Sequence, residues 1–334
     1  MLVLPDLFLR GAASVPAALT SLRFASPRLL RGGWRGTVAR GVGREDLTLV
    51  DEASVIDAAL RRTQGSGAPG CDPAVADSVV DAWIATPVHL MAGLKTIHFP
   101  ANGVLQLEPS EAEEMASAFA KTFGVDGLEL CPAGRDGFVL RGFSAPGSET
   151  VEPARLVGDS LESHLPSGAY SAELRALSSE IEMWLHGLSL NRRRETQGLP
   201  PISTLWLWGG GQPPRDPLRV IDTTPRWSRM VTNDGWARAL AALAKVPVSD
   251  LPSSVDGLLA SDDDALLVIA SLPNDLEAFD RDFIAPAARA LVAGRLTSFA
   301  IAANDRWASV TATDRYRFWR PARTAIAAIA DGGA

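Results

Sequence analysis

Residues 185–214 read LHGLSLNRRRETQGLPPISTLWLWGGGQPP, and this stretch decides the fold because it joins a helix end, a polar turn and an apolar strand. The turn holds an asparagine and three arginines, and the strand runs into three glycines. Backbone N–H groups of glycine can approach an anion because no side chain stands in the way. The stretch therefore predicts an anion-binding site, whose ligand-binding residues are Asn191, Arg194, Gly209, Gly210 and Gly211.

A structural interpretation of the same stretch stays open beside this one. Arginines near the end of a helix interact favourably with its last carbonyl groups and its dipole. The apolar residues that follow would then form a buried strand ending in a glycine turn. On this interpretation Arg194 bonds to a protein carboxylate or to a helix-terminal carbonyl, and not to a ligand.

The composition is that of a globular protein. With 334 residues, of which 46% are hydrophobic and 21% are charged, the chain can bury one large core or two medium ones. The net charge of −7 and the pI near 5.2 argue against an unspecific nucleic-acid binder, because such proteins present a basic face to the phosphates.

Cysteine usage and hydropathy predict a cytoplasmic protein. Cys71 and Cys131 are separated by 60 residues and form no CxxC motif, so we expect neither a disulfide framework nor a cysteine zinc site. No run of 18 apolar residues occurs, so we expect no membrane span. The first 44 residues contain seven arginines and one acid, which also suits a transit peptide; we favour mature structure because residues 2–6 read as a short buried strand.

The pattern of apolar residues predicts a compact α+β unit in the first half of the chain. Residues 109–123 form a helix with a Ser110 cap, and a longer helix covers residues 174–188. Residues 74–84 also look helical, whereas the strand-like segments are 88–90, 96–99, 104–107, 128–131 and 138–143.

The second half predicts a parallel βαβ crossover. A helix is expected at residues 236–243 and another at residues 279–292. Buried strands at residues 265–271 and 298–303 flank the second helix. Strand, helix and strand in this order are typical of parallel neighbours in one sheet.

The chain resembles the RpfE-type regulatory proteins. Residues 185–211 look like the segment of those proteins that joins a helix near His-x-x-x-x-Asn to a Gly-x-Pro-Pro turn and a Leu-Trp-x-Trp-Gly-Gly-Gly strand end. Further similar stretches fall in matching order: PVHL at 87–90, HLPSG at 164–168, SEIEMWLH at 179–186 and RFWRP at 317–321. The resemblance covers nearly the whole chain.

Those proteins in turn are similar to the archaeal-type, cofactor-independent phosphoglycerate mutases of the alkaline phosphatase superfamily. The resemblance implies an α/β fold: an alkaline-phosphatase-like core with a mostly parallel sheet, formed by residues 1–84 and 196–334, and an inserted α+β domain at 85–195. In these enzymes an Asn-x-x-Arg, Gly, Pro and WGxG-like succession closes the inserted substrate-binding domain. The matching positions here are Asn191, Arg194, Gly198, Pro201, Gly209 and Gly211, whereas Ser203 stands where an asparagine is usual.

The histidines do not fit a working mutase. Two-metal phosphoryl transfer needs several Asp and His ligands and a Ser or Thr nucleophile at the strand ends. The related enzymes draw their metal histidines largely from the C-terminal half, but the four histidines here are His89, His98, His164 and His186. Oxygen ligands could come from Asp275, Asp280, Asp282 and Asp305, but a role as solvated helix caps explains these residues more simply. We therefore predict a catalytically degenerate core with no catalytic residues, no bound metal and no cofactor.

Some candidate functional residues are not part of the resemblance to the mutases. Cys71 has no adjacent activating group, so a nucleophilic role is disfavoured. His89 and His98 could face each other on neighbouring strands, or each be a structural histidine. Residues 262–264, three aspartates, indicate a solvated turn more than a calcium loop. The C-terminal arginines alternate with aromatic residues and either stack on bases or form a final strand with extended arginines: Arg315, Tyr316, Arg317, Phe318, Trp319, Arg320 and Arg323.

Three functional hypotheses follow. The first is a non-catalytic regulatory or interaction protein, a pseudoenzyme on a mutase-like fold, which binds an unknown protein partner and retains a niche for a phosphorylated metabolite. The second is a metal-dependent phosphomutase or phosphatase with a carboxylate-only ligand set. The third is a nucleic-acid-associated accessory protein that uses the arginine-rich C-terminus, although the acidic composition argues against nucleic acid as a partner.

Overall fold

The structure is a computed structural model that describes residues 1–4, 19–30, 33–44, 47, 52–64, 81–93, 96–100, 102–134, 137–156, 161–211, 225–260, 266–269, 276–303, 305–324 and 327. The chain forms two compact units. The core unit consists of Met1–Thr48 with Val220–Ala334, and the inserted unit is Leu49–Arg219.

The longest helices and strands lie in the inserted unit, and both units also contain strands of two residues. The strands of the described residues are β1 (Leu2–Val3), β2 (Ser21–Leu22), β3 (Arg28–Leu29), β4 (Ala82–Val88), β5 (Met91–Ala92), β6 (Ile97–His98), β7 (Glu129–Pro132), β8 (Phe138–Arg141), β9 (Ser148–Glu149), β10 (Ser167–Gly168), β11 (Thr204–Gly211), β12 (Arg229–Thr232), β13 (Val248–Ser249), β14 (Leu266–Ile269), β15 (Ser298–Ala303), β16 (Arg306–Thr311) and β17 (Arg323–Thr324). The α-helices are α1 (Gly33–Gly41), α2 (Glu52–Gln64), α3 (Pro109–Phe123), α4 (Ser171–Gly187), α5 (Ser189–Thr196), α6 (Gly235–Ala244), α7 (Asp256–Leu259), α8 (Leu276–Phe279) and α9 (Ala285–Val292). A π-turn at Asp280–Ile284 joins α8 to α9, and 3₁₀ turns lie at Gly124–Asp126, Pro153–Leu156, Leu161–His164 and Ala312–Tyr316.

The core unit has a mixed sheet with the order β13-β12-β14-β1-β15-β16-β3. The strands from β13 to β15 pair in parallel, and β16 pairs antiparallel with both β15 and β3. Two residues connect β15 to β16. A connection this short can join antiparallel strands but not parallel ones. Over both units, antiparallel pairings predominate among the described strands. The expectation of a mostly parallel sheet is therefore not confirmed for the chain, which is mixed α/β.

One apolar cluster holds the core unit together. Leu2 and Ile301, from β1 and β15, pack with Phe283 and Leu291 from the helical segment that precedes β15. Phe279 and Phe283 stack with their ring centroids 4.9 Å apart. The predicted helix at 279–292 thus corresponds to the end of α8, the π-turn and α9, and the predicted strand at 298–303 corresponds to β15.

The inserted unit has an antiparallel sheet with the order β11-β4-β8-β7. Helix α3 packs on β7 and α4 packs on β11. Met115 and Phe119 from α3 and Ile181 from α4 are fully buried in the cluster between these helices and the sheet. The bounds of α3 agree with the sequence prediction, but the capping box is formed by Glu108 and Glu111, and not by Ser110.

Two sequence-based assignments in this sheet are wrong. The predicted helix at 74–84 ends inside β4, a strand with every residue buried, while residues 74–80 lie outside the described residues. Helix α2 packs on β4, and both faces of this strand are buried. Its run of apolar residues therefore lacks the alternation of a half-exposed strand. The placement of residues 205–208 in the core sheet is also wrong, because β11 pairs antiparallel with β4.

This pairing places β11 in the inserted unit. β4 and β11 are the first and last strands of that unit among the described residues, and they pair with each other within its four-stranded sheet. The inserted unit therefore extends over Leu49–Arg219, whereas the sequence suggested 85–195. The return to the core occurs after the glycines and not before the apolar strand.

Cys131, which is buried in β7, is disulfide-bonded. The chain has a single other cysteine, Cys71, which lies outside the described residues. The expectation that no disulfide forms is wrong for Cys131, because cysteines far apart in sequence and outside any motif carry no signal of pairing. The cysteines therefore no longer support a reducing compartment. Among the described helices, none has the length and apolarity needed to span a membrane.

Candidate functional site

The asparagine and the arginines of the predicted turn lie in a helix. Helix α4 ends at Gly187, Leu188 is extended with φ −72° and ψ 132°, and α5 begins at Ser189. Asn191 and Arg194 therefore project from a two-turn helix that starts in a new direction. Gly198, with φ +74°, reverses the chain after α5 and leads it to β11.

Asn191 is buried and joins three parts of the inserted unit. Its Nδ2 donates to the carbonyl oxygens of Leu185 and Ile202, each at 2.9 Å. Its Oδ1 accepts from the backbone N–H of Ile202 at 2.8 Å. The side-chain amide thereby ties the end of α4 to the segment before β11, and both of its hydrogens are committed to protein carbonyls.

Arg194 is held in the same way. Its Nε donates to the carbonyl oxygen of Pro200 at 3.0 Å, and its Nη1 lies 2.8 Å from both carboxylate oxygens of Glu111. The side chains of Arg194 and Glu111 are 5% and 14% exposed, so this is a buried ion pair. The carboxylate of Glu111 stands where an anionic ligand of Arg194 would have to bind.

The neighbouring arginines also bind protein groups. Arg193 forms a two-bond ion pair with Glu114 at 2.6 and 3.3 Å, one helical turn from Glu111 on α3. Arg192 donates to the last carbonyl of α4, that of Gly187, at 3.1 Å. These contacts favour the structural interpretation that the sequence left open, in which the arginines cap a helix and bind protein carboxylates.

Gly209 and Gly210 pack closely against neighbouring side chains at the far end of β11. Gly209 has φ +59°, and its N–H donates to Oγ1 of Thr150 at 3.3 Å. Gly210 lies against the indole of Trp83 so closely that a Cβ atom there would overlap the ring. The pairing of β11 with β4 shifts register between Trp208 and Gly211, which marks a β-bulge.

The structure does not bring the predicted site residues together. Asn191 and Arg194 contact the chain just before β11, whereas the glycines end that strand. Ile202 and Gly209 are seven residues apart in extended chain, which corresponds to about 20 Å at the usual rise of a strand. Anion binding at either place stays a prediction.

The carboxylates considered as metal ligands in the core unit have protein partners. The carboxylate of Asp280 accepts from the backbone N–H and the hydroxyl of Thr20. Asp282 forms an ion pair with Arg281, and an oxygen of Asp305 lies 3.9 Å from Nε of Arg306. Asp275, the three aspartates at 262–264 and Cys71 lie outside the described residues.

His89 and His98 each have a protein partner, which favours the alternative that they are structural histidines. A ring nitrogen of His89 lies 2.9 Å from the carbonyl oxygen of Pro201, and one of His98 lies 2.8 Å from the hydroxyl of Thr96. Within the ranges that the structure describes, no three His, Cys, Asp or Glu side chains are grouped so as to hold a metal ion. The prediction that the protein binds no metal stays a prediction.

Sequence reasoning missed a buried charge cluster in the inserted unit. Asp57 of α2 accepts from Nε of Arg141 on β8 at 2.5 Å and from Nε of Arg61 at 2.7 Å. Arg141 also lies 3.6 Å from Glu129, and its side chain is 5% exposed. The i, i+4 spacing of Asp57 and Arg61 was the available signal, whereas the contact with Arg141 spans 84 residues.

A second group missed by the sequence lies at the carboxyl end of β12. Asp234 caps α6 by accepting from the backbone N–H of Ala237 at 2.8 Å. Burial raises the pKa of this carboxyl and outweighs the opposing effects of the Arg35 charge and the cap hydrogen bond. The guanidinium of Arg35 lies over the rings of Trp34 and Trp236, at 4.9 and 5.7 Å. The cap gives Asp234 a structural role that its Thr-Asn-Asp-Gly context could have indicated.

Comparison with known proteins finds local sequence similarity to phosphoglycerate mutases. No family model matches the chain. Over 81 residues, 24% of the chain, it is 36% identical to 2,3-bisphosphoglycerate-independent phosphoglycerate mutase 2 of Methanothermobacter thermautotrophicus. Over 110 residues, 33% of the chain, it is 28% identical to a probable 2,3-bisphosphoglycerate-independent phosphoglycerate mutase of Geobacter sulfurreducens. The matches span 20% and 28% of the lengths of these two relatives.

Two solved structures are similar over most of the chain. The cofactor-independent phosphoglycerate mutase of Thermoplasma acidophilum aligns with 93% of this chain and 89% of its own, at 14% identity and a TM-score of 0.38. A protein from Pyrococcus horikoshii aligns with 88% of this chain and 77% of its own, at 12% identity and a TM-score of 0.43. The local sequence matches support a distant similarity to cofactor-independent phosphoglycerate mutase.

Proposed function

We propose that this chain is a non-catalytic interaction protein on a phosphoglycerate-mutase-like framework, and that its resemblance to RpfE-type proteins reflects a regulatory role. The observation that carries the proposal is the buried ion pair between Arg194 and Glu111. The segment around Arg194 carries the succession of residues likened above to that of the mutases, and its arginine bonds to the protein itself.

A phosphate-binding arginine needs donors that point at the ligand and an environment without competing anions. In Arg194, Nη1 contacts both oxygens of a carboxylate and Nε contacts a backbone carbonyl. A bound phosphate would have to displace Glu111 or lie beside its negative charge, and either costs free energy. We therefore propose that a phosphorylated metabolite binds Arg194 only if it displaces the carboxylate of Glu111.

Enzyme assays on the purified chain test the proposal. Turnover of 3-phosphoglycerate is measured with Mn²⁺ and with Mg²⁺, beside the Methanothermobacter thermautotrophicus mutase as a positive control, and elemental analysis determines the bound metal after dialysis. We expect no turnover above buffer and no stoichiometric metal. Metal-dependent turnover with two equivalents of retained metal would overturn the proposal and favour a phosphomutase.

A further inference from the structure

The segment that follows β16 exposes three large aromatic side chains beside one another in sequence. Tyr316, Phe318 and Trp319 are 66%, 81% and 68% exposed. The rings of Phe318 and Trp319 meet edge to face with centroids 5.4 Å apart, so they cover each other and little else. Grouped exposed aromatic residues are uncommon on monomeric proteins and are typical of interfaces.

The backbone beneath these rings is fixed by one carboxylate. Asp314 accepts from the backbone N–H and the hydroxyl of Thr311, at 2.7 and 2.8 Å. The same carboxylate binds Nε of Arg317 and Nη1 of Arg320, each at 3.0 Å. Nη1 of Arg23, beside β2, donates to the carbonyl oxygens of Phe318 and Arg320. The aromatic side chains therefore project from an ordered platform, which lowers the entropy lost on binding.

A cavity of about 200 Å³ adjoins this platform within the core unit. Leu22, Leu291 and Val310 supply part of its apolar lining, and Arg23 and Arg315 contribute to its polar part. Pockets for small molecules usually have volumes of roughly 300–1,000 Å³, so this cavity suits a single apolar side chain better than a metabolite. An anchor pocket beside exposed aromatic side chains is the usual form of a binding hot spot.

The platform is basic in an otherwise acidic protein. The whole chain has a net charge of −7, yet Arg317 and Arg320 both bind the carboxylate of Asp314, and Arg23 and Arg315 line the adjoining cavity. Arg315 lies over the ring of Tyr316 at 4.7 Å and donates to its hydroxyl and to the carbonyl oxygen of Val292, all of which are uncharged groups. Such a surface complements an acidic partner and repels a basic one.

We propose that this platform, Tyr316 to Arg320 with its adjoining cavity, binds an acidic protein segment that inserts one large apolar side chain into the cavity and places carboxylates over the arginines. The inference rests on the proposed function, because it names the surface by which an interaction protein would bind its partner. A nucleic acid fits less well: the apolar part of the cavity lining is aliphatic, and the net charge of the chain, −7, disfavours binding of phosphates.

Phage display tests the proposed binding surface. A library of random twelve-residue peptides is selected for binding to the immobilised full chain. Clones that also bind the F318S/W319S variant are removed, and the enriched peptides are measured by fluorescence anisotropy. We expect acidic peptides with one leucine or aromatic residue, whose affinity falls about tenfold or more in F318S/W319S and in Arg315→Glu. The matched control Met183→Ser, at an equally exposed apolar residue of the inserted unit, should leave the affinity unchanged.

Three outcomes would overturn the inference: no enrichment over the variant, enrichment of neutral or basic peptides, or tighter binding of a twenty-nucleotide oligo-dT than of any peptide. Thermal melts of each variant establish that it is folded. Turnover of 3-phosphoglycerate by a chain that still selects acidic peptides would refute the proposed function and leave this surface in place. If the chain is inactive and selects no peptide, the inference about this binding surface is refuted and the proposed function is not.

Discussion

Arg194 of α5 and Glu111 of α3 lie 83 residues apart in sequence, and Nη1 of the arginine is 2.8 Å from both carboxylate oxygens. Arg194 is buried, and the side chain of Glu111 is 14% exposed. Glu111 also accepts from the N–H of Glu108 at 3.1 Å, so the carboxylate that binds the arginine helps to cap α3. The pair thus connects the start of one helix to the end of another and to the turn at Pro200.

Replacement of Arg194 by alanine should destabilise the protein and leave its response to phosphate unchanged. The substitution leaves Glu111 buried without its partner, and breaking a buried pair in this way costs about 3–5 kcal/mol of unfolding free energy. Urea denaturation measures the loss, and thermal melts across a phosphate titration at constant ionic strength measure the response.

Arg192→Ala is the matched control, because Arg192 is exposed and bonds to a single helix-end carbonyl. We expect it to change the unfolding free energy by less than about 0.5 kcal/mol. The result that contradicts this account is a wild-type melting temperature that rises with phosphate and an Arg194→Ala variant that shows no rise.

Local sequence patterns predicted the elements whose two faces differ. The four-residue spacing of Met115, Phe119 and Phe123 gave α3 its observed bounds, and the run at Ser298–Ala303 gave β15. β4 was mistaken for part of a helix because both of its faces are buried, so its sequence has no alternation. Its pairing with β11 depends on residues more than a hundred positions away, which local periodicity does not report.

The candidate site shows a similar limit. The sequence predicted Asn191 and Arg194 to be ligand-binding residues, with a bond from Arg194 to a protein group as the alternative, and in the structure both are buried and bonded to protein groups. It could not identify their partners, because Glu111 lies on a helix far away in sequence. The length of β11 separates the glycines from these two residues, and that distance becomes visible only when the whole segment is known to be extended.

Gly210→Ala should destabilise the inserted unit through overpacking. A Cβ atom at Gly210 would overlap the indole of Trp83, whose Nε1 donates to the carbonyl oxygen of Phe143 at 3.0 Å. Because that ring is buried and hydrogen-bonded, it cannot move freely, and we expect a loss of about 1–3 kcal/mol in urea denaturation.

The control for this substitution is Gly187→Ala at the end of α4, where a Cβ atom would meet nothing within 4 Å. That change should be neutral or stabilise the protein by up to about 1 kcal/mol, because alanine lowers the entropy of the unfolded chain. Equal losses at both glycines would show that the contact with Trp83 does not matter.

The two arginines that share Asp57 should differ in their effect on stability. Arg141→Ala leaves a buried carboxylate with one partner fewer, and we expect a loss of about 3 kcal/mol or more. Arg61→Ala removes a more exposed partner, with a side chain 20% exposed, and should cost about 1 kcal/mol or less. Chemical denaturation of both variants makes the comparison, and a larger loss for Arg61→Ala would contradict the assignment of the buried pair.

The platform around Asp314 should weaken at low pH. Burial raises the pKa of Asp314, but the two hydrogen bonds from Thr311 and the charges of Arg317 and Arg320 together outweigh it, so the pKa is lowered from its ordinary value. A carboxyl with a lowered pKa in the folded state stabilises the protein above its unfolded pKa of about 3.9, and that contribution is lost as the pH falls through the folded pKa. Asp314→Asn should therefore melt below the wild type between pH 5 and 7, and the difference in melting temperature should shrink below about pH 4 as the wild-type carboxyl is protonated.

Melts of both proteins from pH 7 to pH 2 provide the measurement. A difference that stays constant over the whole range would mean that Asp314 acts through its shape and hydrogen bonds and not through its charge.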